Sequence, residues 1–504
     1  MSILGIDLGT GACKGVAFDY AGNVLAKSEK DYQTFSAKPG WCELDAECFL
    51  NAIRDISREI SAKLTHDPII AMAISSHGET IIPVGRDRKA LVPAFMNADN
   101  RAFVEIEELT AKIPAKRLYQ ITGTPPHPMY ALSNIMWFKK HNPQGYAATY
   151  KFCSCEDYIM LSLGLDPVCN YSNCCRTLMF DIHKRDWSDE ILYAAGVERE
   201  KLSVPIPSGQ VVGKLDREHA AFLGLSEGVT VVSGGFDHFN GLIGSGVIKP
   251  GLVSCSAGSY EGLTTLTTEV NSSDEAYDCC LNTFCHLDGL YANFAYFPAG
   301  LCTKWFVNEL CGEDRMAAEK EGVSVYEVLA REVQKLPQGP TDIFVTPHMV
   351  GSCCPYNDPR ARGSIYGLSP AVSRHALYKA VYEGIAHEFA MMCDLMARMT
   401  SDFEKVRING GGARSDFTLH LRANTSGRII EQMDTNEAPV LGVAILAGVA
   451  VGIFKNVQDG IDKAARCRQT VEPDPQLKKL YQKNQKIYEE IYHSLAPVRG
   501  MWRI

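Results

Sequence analysis

An aspartate behind a strand pattern and a glycine pair, Ser233-Gly234-Gly235-Phe236-Asp237-His238, is the residue of this chain best placed to do chemistry. A carboxylate on a glycine-flanked loop, ahead of a helix pattern at Phe239–Ile243, can take the proton of an attacking hydroxyl and orient it. The same residue can serve as a helix N-cap, and His238 reads as its hydrogen-bonding neighbour. A second constellation opens the chain, Gly5-Ile6-Asp7-Leu8-Gly9-Thr10-Gly11-Ala12-Cys13-Lys14-Gly15. An apolar strand runs into a carboxylate, and a glycine turn carrying a hydroxyl leads into another strand. Successive N–H groups in such a turn form an anion-binding concavity. Asp7 stands where a phosphate-bound Mg²⁺ needs a ligand or a water anchor. A plain glycine-rich β-turn has the same local pattern. Residues 252–264 repeat the strand, turn and strand, with Ala257-Gly258-Ser259 as the turn. A third cluster, Asn409-Gly410-Gly411-Gly412-Ala413-Arg414-Ser415, joins a strand pattern to a helix pattern. It is either an ordinary strand–helix loop or a place where helix N-terminal amides meet an anionic or nucleotide group.

Two polar clusters follow apolar stretches, Ser75-Ser76-His77-Gly78-Glu79-Thr80 and Asn97-Ala98-Asp99-Asn100-Arg101. Either alone reads as a solvated turn. Together they offer the carboxylates, amides and guanidinium that a polyhydroxyl ligand requires, because each buried polar group left unpaired is costly. Other motifs fail. Gly209-Gln210-Val211-Val212-Gly213-Lys214 is one residue short of a Walker A loop and ends in Leu215, without the hydroxyl for Mg²⁺. His387-Glu388 lacks the second histidine of a zinc protease, since Met391 stands there.

The elements that must carry these residues read as α/β. Strands are predicted at Ile3–Asp7, Gly15–Asp19, Ile69–Ser75 and Val229–Val232. A helix is predicted over Ala46–Leu64, with Phe49, Ile53, Ile56 and Ile60 on one face. The middle, 132–225, reads as mainly helical. The apolar run Pro439–Phe454 is shorter than a membrane span of about 20 residues and is broken by glycines, so a buried helix is predicted. At 504 residues, two or more domains are expected. The net charge of −9 argues against nucleic acid or an anionic membrane as partner. Eighteen cysteines without a C-x-x-C pair, and no basic-then-apolar leader, predict reduced thiols and a cytoplasmic protein.

These motifs fall into one familiar order. The chain resembles the FGGY carbohydrate kinases, within the actin-like ATPase superfamily, over nearly its whole length. GIDLGTGACKGV (Gly5–Val16) resembles the family's first phosphate hairpin, and PGWCELDAE (Pro39–Glu47) its early tryptophan stretch. MYALSNIMWFKKH (Met129–His141) resembles the first family signature, departing at Ala131 and Asn134. Residues 157–196, including NYSNCCRTLMFDIHKRDWSDEIL, resemble the middle region. Pro355–Gly384 resembles the second signature, departing at Ala376, and NGGGARSDF (Asn409–Phe417) the adenosine loop.

The resemblance implies two actin-like (ribonuclease H-like) domains, set here at 1–246 and 247–504, with the active site in the cleft between them. It implies ATP, Mg²⁺ and transfer of a phosphoryl group to a small sugar or polyol. Position by position, Asp237 matches the catalytic base and Asp7 the metal-associated acid. Gly9, Thr10, Gly11 and Lys14 match the first phosphate hairpin, and Gly258 and Ser259 the second, although Tyr260 and Glu261 are unusual followers. Gly411, Gly412 and Ser415 match the adenosine loop. His77, Glu79, Asp99 and Arg101 match sugar contacts, with His77 where glutamine is common and Asn97 where tryptophan is. A ketopentose is the leading substrate expectation, and a homodimer is left open. Two alternatives stand: a chaperone- or filament-type ATPase, and a non-catalytic sugar sensor.

Overall fold

The computed structural model describes residues 1–64, 66–287, 289–435 and 437–501. Two large mixed sheets organise the chain. The first contains β1 (Ser2–Leu8), β2 (Ala12–Phe18), β3 (Val24–Asp31), β4 (Ile69–Ser76), β5 (Val211–Lys214) and β6 (Thr230–Phe236). The second contains β7 (Val253–Ala257), β8 (Tyr260–Thr267), β9 (Asn282–Cys285), β10 (Tyr291–Pro298), β11 (Lys405–Asn409), β12 (Ile429–Met433) and β13 (Cys467–Val471).

The spatial orders are β5-β6-β4-β1-β2-β3 and β9-β10-β8-β7-β11-β12-β13. Three strands run parallel in each, β6-β4-β1 and β12-β11-β7. An antiparallel pair continues each sheet, β2-β3 and β8-β10. The two halves therefore share a five-strand core arrangement, and each places a glycine turn between its first two strands. Ligands gather at the carboxyl ends of parallel strands, where their connections diverge.

Sequence pattern explains the layers. Helix α1 (Glu47–Lys63) buries Phe49, Ile53, Ile56 and Ile60, its predicted face, in one core with Leu4, Ile6 and Leu8 of β1. The middle segment differs from its mainly helical expectation. Its helices, among them α2 (Ala131–His141) and α3 (Tyr171–Cys175), alternate with short strands, as where Val168–Asn170 pairs with Val204–Ile206. Beyond β6 come α4 (Asp237–Gly244) and then, near the C-terminus, α5 (Asp416–Ser426), α6 (Ala438–Ala450) and α7 (Val457–Ala464).

Most of the apolar run Pro439–Phe454 forms α6, a helix buried on nearly every side that ends at Ala450. Among the described residues no helix is long and apolar enough to cross a membrane. Helix α6 comes from the second half of the sequence but packs on the first sheet. Val440, Val443, Ala444 and Ala447 share a core with Ile3, Ala71, Ala73 and Val232. The chain thus leaves the first sheet after α4, builds the second, and returns through α6 and α7. Helix α6 also crosses α4 at backbone contact: a Cβ on Gly442 would lie 1.9 Å from the Asn240 carbonyl oxygen.

Candidate active site

Asp7 and Asp237 meet at the carboxyl ends of the parallel strands. Asp7 lies level with Ser75, and Phe236 level with Ser76, so Asp237 emerges one strand over from His77. The glycine pair expected to form a loop is instead part of β6, and Asp237 is the first residue of α4 with Phe236 as N-cap. The N-cap alternative for Asp237 therefore falls.

An irregularity in β6 aims this carboxylate. Register against β4 shifts between Val232 and Gly235, so N–H groups there leave the sheet ladder. Gly234 N donates to Glu156 Oε1 at 2.7 Å, and Phe236 N to Ser172 Oγ at 2.9 Å. Asn240 Nδ2 donates to the Gly235 carbonyl at 2.8 Å. Asn173 Nδ2 also donates to Glu156, at 3.2 Å, yet burial still pushes that carboxyl up to about 8. Glu156 and Ser172 belong to no motif that singles them out. Ser172 lies inside the quoted middle stretch and Glu156 just before it, each among other polar residues.

Burial pushes both Asp7 and Asp237 above the usual carboxylate range, and the charge of Asp237 raises Asp7 further. The His238 N–H and the Arg176 guanidinium act in the opposite direction on Asp237. Among the described residues Asp7 Oδ1 is buried without a hydrogen bond of ordinary geometry. An unpartnered carboxylate oxygen beside a phosphate hairpin fits a hydrated Mg²⁺.

Two cavities meet at Asp237, and a third lies along the second hairpin. The largest, about 650 Å³, is lined by Thr10, His77, Glu79, Asn97, Arg176 and Asp237 among others. A second, about 170 Å³, shares Asp237 and His238 with it and adds Ser254, Ser256, Thr264 and Asn409 from the second half. A third, about 560 Å³, is lined by Gly258, Gly411, Gly412, Arg414, Ser415 and Phe417 among others.

His77 is held on both ring nitrogens, Nδ1 at 2.9 Å from the Leu8 carbonyl and Nε2 at 2.7 Å from Thr80 Oγ1. Burial lowers its pKa to about 4, so the ring is neutral at neutral pH. The carbonyl can only accept, so Nδ1 carries the proton and Nε2 accepts from Thr80. Glu79 sits at φ 65° and pairs with Arg176. Asp99 and Arg101, expected beside them, do not line this cavity. Arg101 is committed to Asp99 and Glu43, at 2.6 and 2.8 Å, and lies 3.6 Å from the centre of the Trp41 ring. This buried ion cluster anchors the turn on which Asn97 and Ala98 face the cavity.

In the first hairpin Gly9 N donates to the Ala12 carbonyl at 2.9 Å, and the Tyr32 hydroxyl caps the Gly9 carbonyl. A Cβ on Gly11 would meet nothing, so this turn opens freely to the cleft. Lys14 reaches across to Glu437 at 3.3 Å. In the second hairpin Gly258 N donates to the Tyr260 carbonyl at 3.1 Å, and Ala299 N donates to the Ser259 carbonyl at 3.0 Å. Glu261 pairs with Arg422 in the wall of the third cavity, which explains a carboxylate at that position. In the third glycine cluster Gly410 has φ 93°, and a Cβ there would lie 2.6 Å from the Ala257 carbonyl oxygen. Only glycine fits such a site. Ser415, the N-cap of α5, makes no side-chain cap hydrogen bond; Thr418 N donates to its carbonyl at 3.0 Å, which leaves the Asp416 and Phe417 amides to face a ligand.

Comparison with known proteins agrees with this layout. Residues 2–244 match the N-terminal domain of the FGGY family of carbohydrate kinases, and residues 266–451 its C-terminal domain. The chain is 25% identical to a xylulose kinase of Staphylococcus xylosus over 492 residues, 97% of this chain and 99% of that protein. The ligand-bound xylulose kinase of Lactobacillus acidophilus superposes with a TM-score of 0.91 at 23% identity, covering 100% of both chains. The gluconate kinase of Lactobacillus acidophilus reaches 0.90 at 23% identity, covering 100% of this chain and 99% of that one. The fold is therefore that of two-domain, actin-like sugar kinases. The chain belongs to the FGGY family of carbohydrate kinases and is an ATP- and Mg²⁺-dependent phosphotransferase for a sugar or polyol.

Proposed function

We propose that the acceptor is a small ketose, a ketopentose first, phosphorylated on a primary hydroxyl with Asp237 as the base. The observation that carries this reading is the position of Asp237 at the junction of two cavities. One is lined by Glu79, Arg176 and Asn97, the other by hydroxyls and an amide from the second half. An acceptor hydroxyl reaching from the first cavity meets Asp237 before it meets a phosphoryl group in the second.

Asp237 takes the hydroxyl proton as the oxygen attacks in line. A raised pKa suits a base working near neutrality, because the proton must be held once transferred. Hairpin amides at Thr10, Gly11 and Ser259 grip the phosphates, and Thr10 and Lys14 add a hydroxyl and a charge. Mg²⁺ bound to the triphosphate would supply charge neutralisation, held through its water by Asp7. Gly411, Gly412 and Ser415 receive the adenosine. Neutral His77 fixes the cavity wall through Leu8 and Thr80.

The gluconate kinase likeness leaves the sugar to be decided by assay. The test is ADP release over ketopentoses, deoxyketoses, tetritols, aldonates and glycerol. A ketopentose should give the highest kcat/KM. A better aldonate or tetritol would overturn the substrate, and turnover independent of any acceptor would return the chaperone-type alternative. Asp237→Asn should lose about 10³-fold in kcat while still binding ATP. Retained turnover in that variant would remove Asp237 from its role.

A further inference from the structure

The acceptor cavity contains a cation to which the sequence assigns no role. Arg176 follows α3 as its C-cap and is 7% exposed, yet its side chain reaches the cavity wall. The guanidinium lies 5.4 Å from the centre of the Tyr130 ring and 5.0 Å from those of Phe236 and Phe284. One edge pairs with the Glu79 carboxylate. Among the described residues Arg176 Nε is buried without a hydrogen-bond partner. A buried guanidinium N–H with no acceptor is costly, and Arg176 lines the cavity, where a ligand oxygen can pair with the group.

The neighbouring backbone is shaped to admit this side chain. A Cβ on Gly78 would lie 2.7 Å from Arg176 Cγ and 2.9 Å from its Cβ. Any larger residue at 78 would displace the stem. Glu79, next in sequence, is kept at φ 65°, a conformation side-chain-bearing residues rarely adopt. Strain of this kind persists where surrounding structure holds a side chain to a task.

We propose that Arg176 binds the acceptor directly and sets its specificity: its guanidinium donates to a carbonyl or hydroxyl oxygen of the sugar, while Glu79 accepts from a hydroxyl on an adjacent carbon. The pair reads two neighbouring oxygens as acceptor and donor. Arginine can only donate and ionised glutamate can only accept, so the pattern has a direction. Three rings fix the guanidinium plane, which limits where the sugar oxygen can sit. The same cation faces Asp237, so removing it also disturbs the base. Asp7 on β1 and the His238 N–H are the other groups acting on that carboxylate.

The inference rests on the sugar-kinase reading, and its test separates the two. Wild type, Arg176→Met, Arg176→Lys and Gly78→Ala are assayed on the best ketose and a set of its singly deoxygenated analogues. A wild type without acceptor-dependent ADP release would sink the functional reading itself. With wild type active, one analogue should be penalised by at least about tenfold in kcat/KM, and Arg176→Met should erase that penalty for that analogue alone. Arg176→Lys should restore part of it. Gly78→Ala keeps the cation but moves it, and should weaken the same discrimination; it carries the comparison if Arg176→Met does not fold. The acid limb of kcat/KM should also move to higher pH in Arg176→Met, since a positive neighbour of Asp237 is gone. Identical analogue penalties in wild type and variants would overturn the proposal, because a purely structural arginine lowers all substrates alike.

Discussion

Replacing Gly442 with alanine tests how finely Asp237 is placed. The new Cβ would lie 1.9 Å from the Asn240 carbonyl oxygen of α4. An ordinary C–H···O contact is ~3.3 Å, so α4 and α6 must part by roughly 1.4 Å. The obstacle is main chain, so no rotamer change relieves it. Asn240 lies within one turn of Asp237, and a short helix transmits the shift nearly whole. Misplacing a reacting group by about 1 Å lowers rates about 10²-fold. We expect that loss in kcat, with about 1–3 kcal/mol of destabilisation from overpacking. ATP affinity should change by less than about threefold, because the Gly411–Phe417 wall is a separate surface. Gly448→Ala on the same helix is the contrast. Its Cβ meets the Phe454 ring at 2.5 Å and Ile3 Cδ1 at 2.9 Å, both side chains that can repack. It should lower the melting temperature while kcat stays within about threefold of wild type. Steady-state ADP release, a nucleotide titration and a thermal melt on each variant decide the matter. Wild-type kcat in Gly442→Ala, or equal losses in both variants, would refute the reasoning.

Three further outcomes are expected. Burial raises the folded carboxyl pKa of Asp7 and Asp237 above their unfolded values, with Ser75, Lys14 and Glu437 also facing Asp7 and Arg176 facing Asp237. Their contribution to stability is therefore complete below the unfolded pKa and lost as pH rises through the folded values. Asp237→Asn should melt above wild type at about pH 8 and with it near about pH 4; a constant difference would contradict this. Arg101→Met strips the cation from Asp99 and Glu43, so it should destabilise by about 3–5 kcal/mol while leaving the acceptor KM of the folded fraction nearly unchanged. A large rise in that KM would put Arg101 back among the sugar contacts. Ser172→Ala orphans the Phe236 N–H, for about 1–3 kcal/mol of stability, and should lower kcat without weakening ATP binding; a melt and rate equal to wild type would dismiss the clamp on β6.

Periodicity and glycine placement were readable because they follow from backbone geometry. The apolar face Phe49, Ile53, Ile56 and Ile60 returned as the buried face of α1, and both hairpins fall between antiparallel strands. Gly234 and Gly235 were misread as a loop, since a bulged strand and a turn use glycine alike. Asp99 and Arg101 have the residue types of a sugar contact, but their partners Glu43 and Trp41 lie far away in sequence. Arg176 lies inside the quoted middle stretch, but its role was hidden for the same reason. Its meaning depends on Gly78 and Glu79 some hundred positions earlier, and its sole local signal is a charge inside an apolar stretch. The direction of α6 was equally hidden: its pattern predicts burial but not the sheet it covers.

That return of the chain makes the two halves inseparable. A fragment ending at 246 would leave Ile3, Ala71, Ala73 and Val232 facing water, because their cover arrives with residues 438–464. A fragment starting at 247 would carry an apolar helix with no sheet to lie on. Each piece alone should aggregate, and the two made together should assemble into one molecule, much as a torn page is legible only when both edges meet.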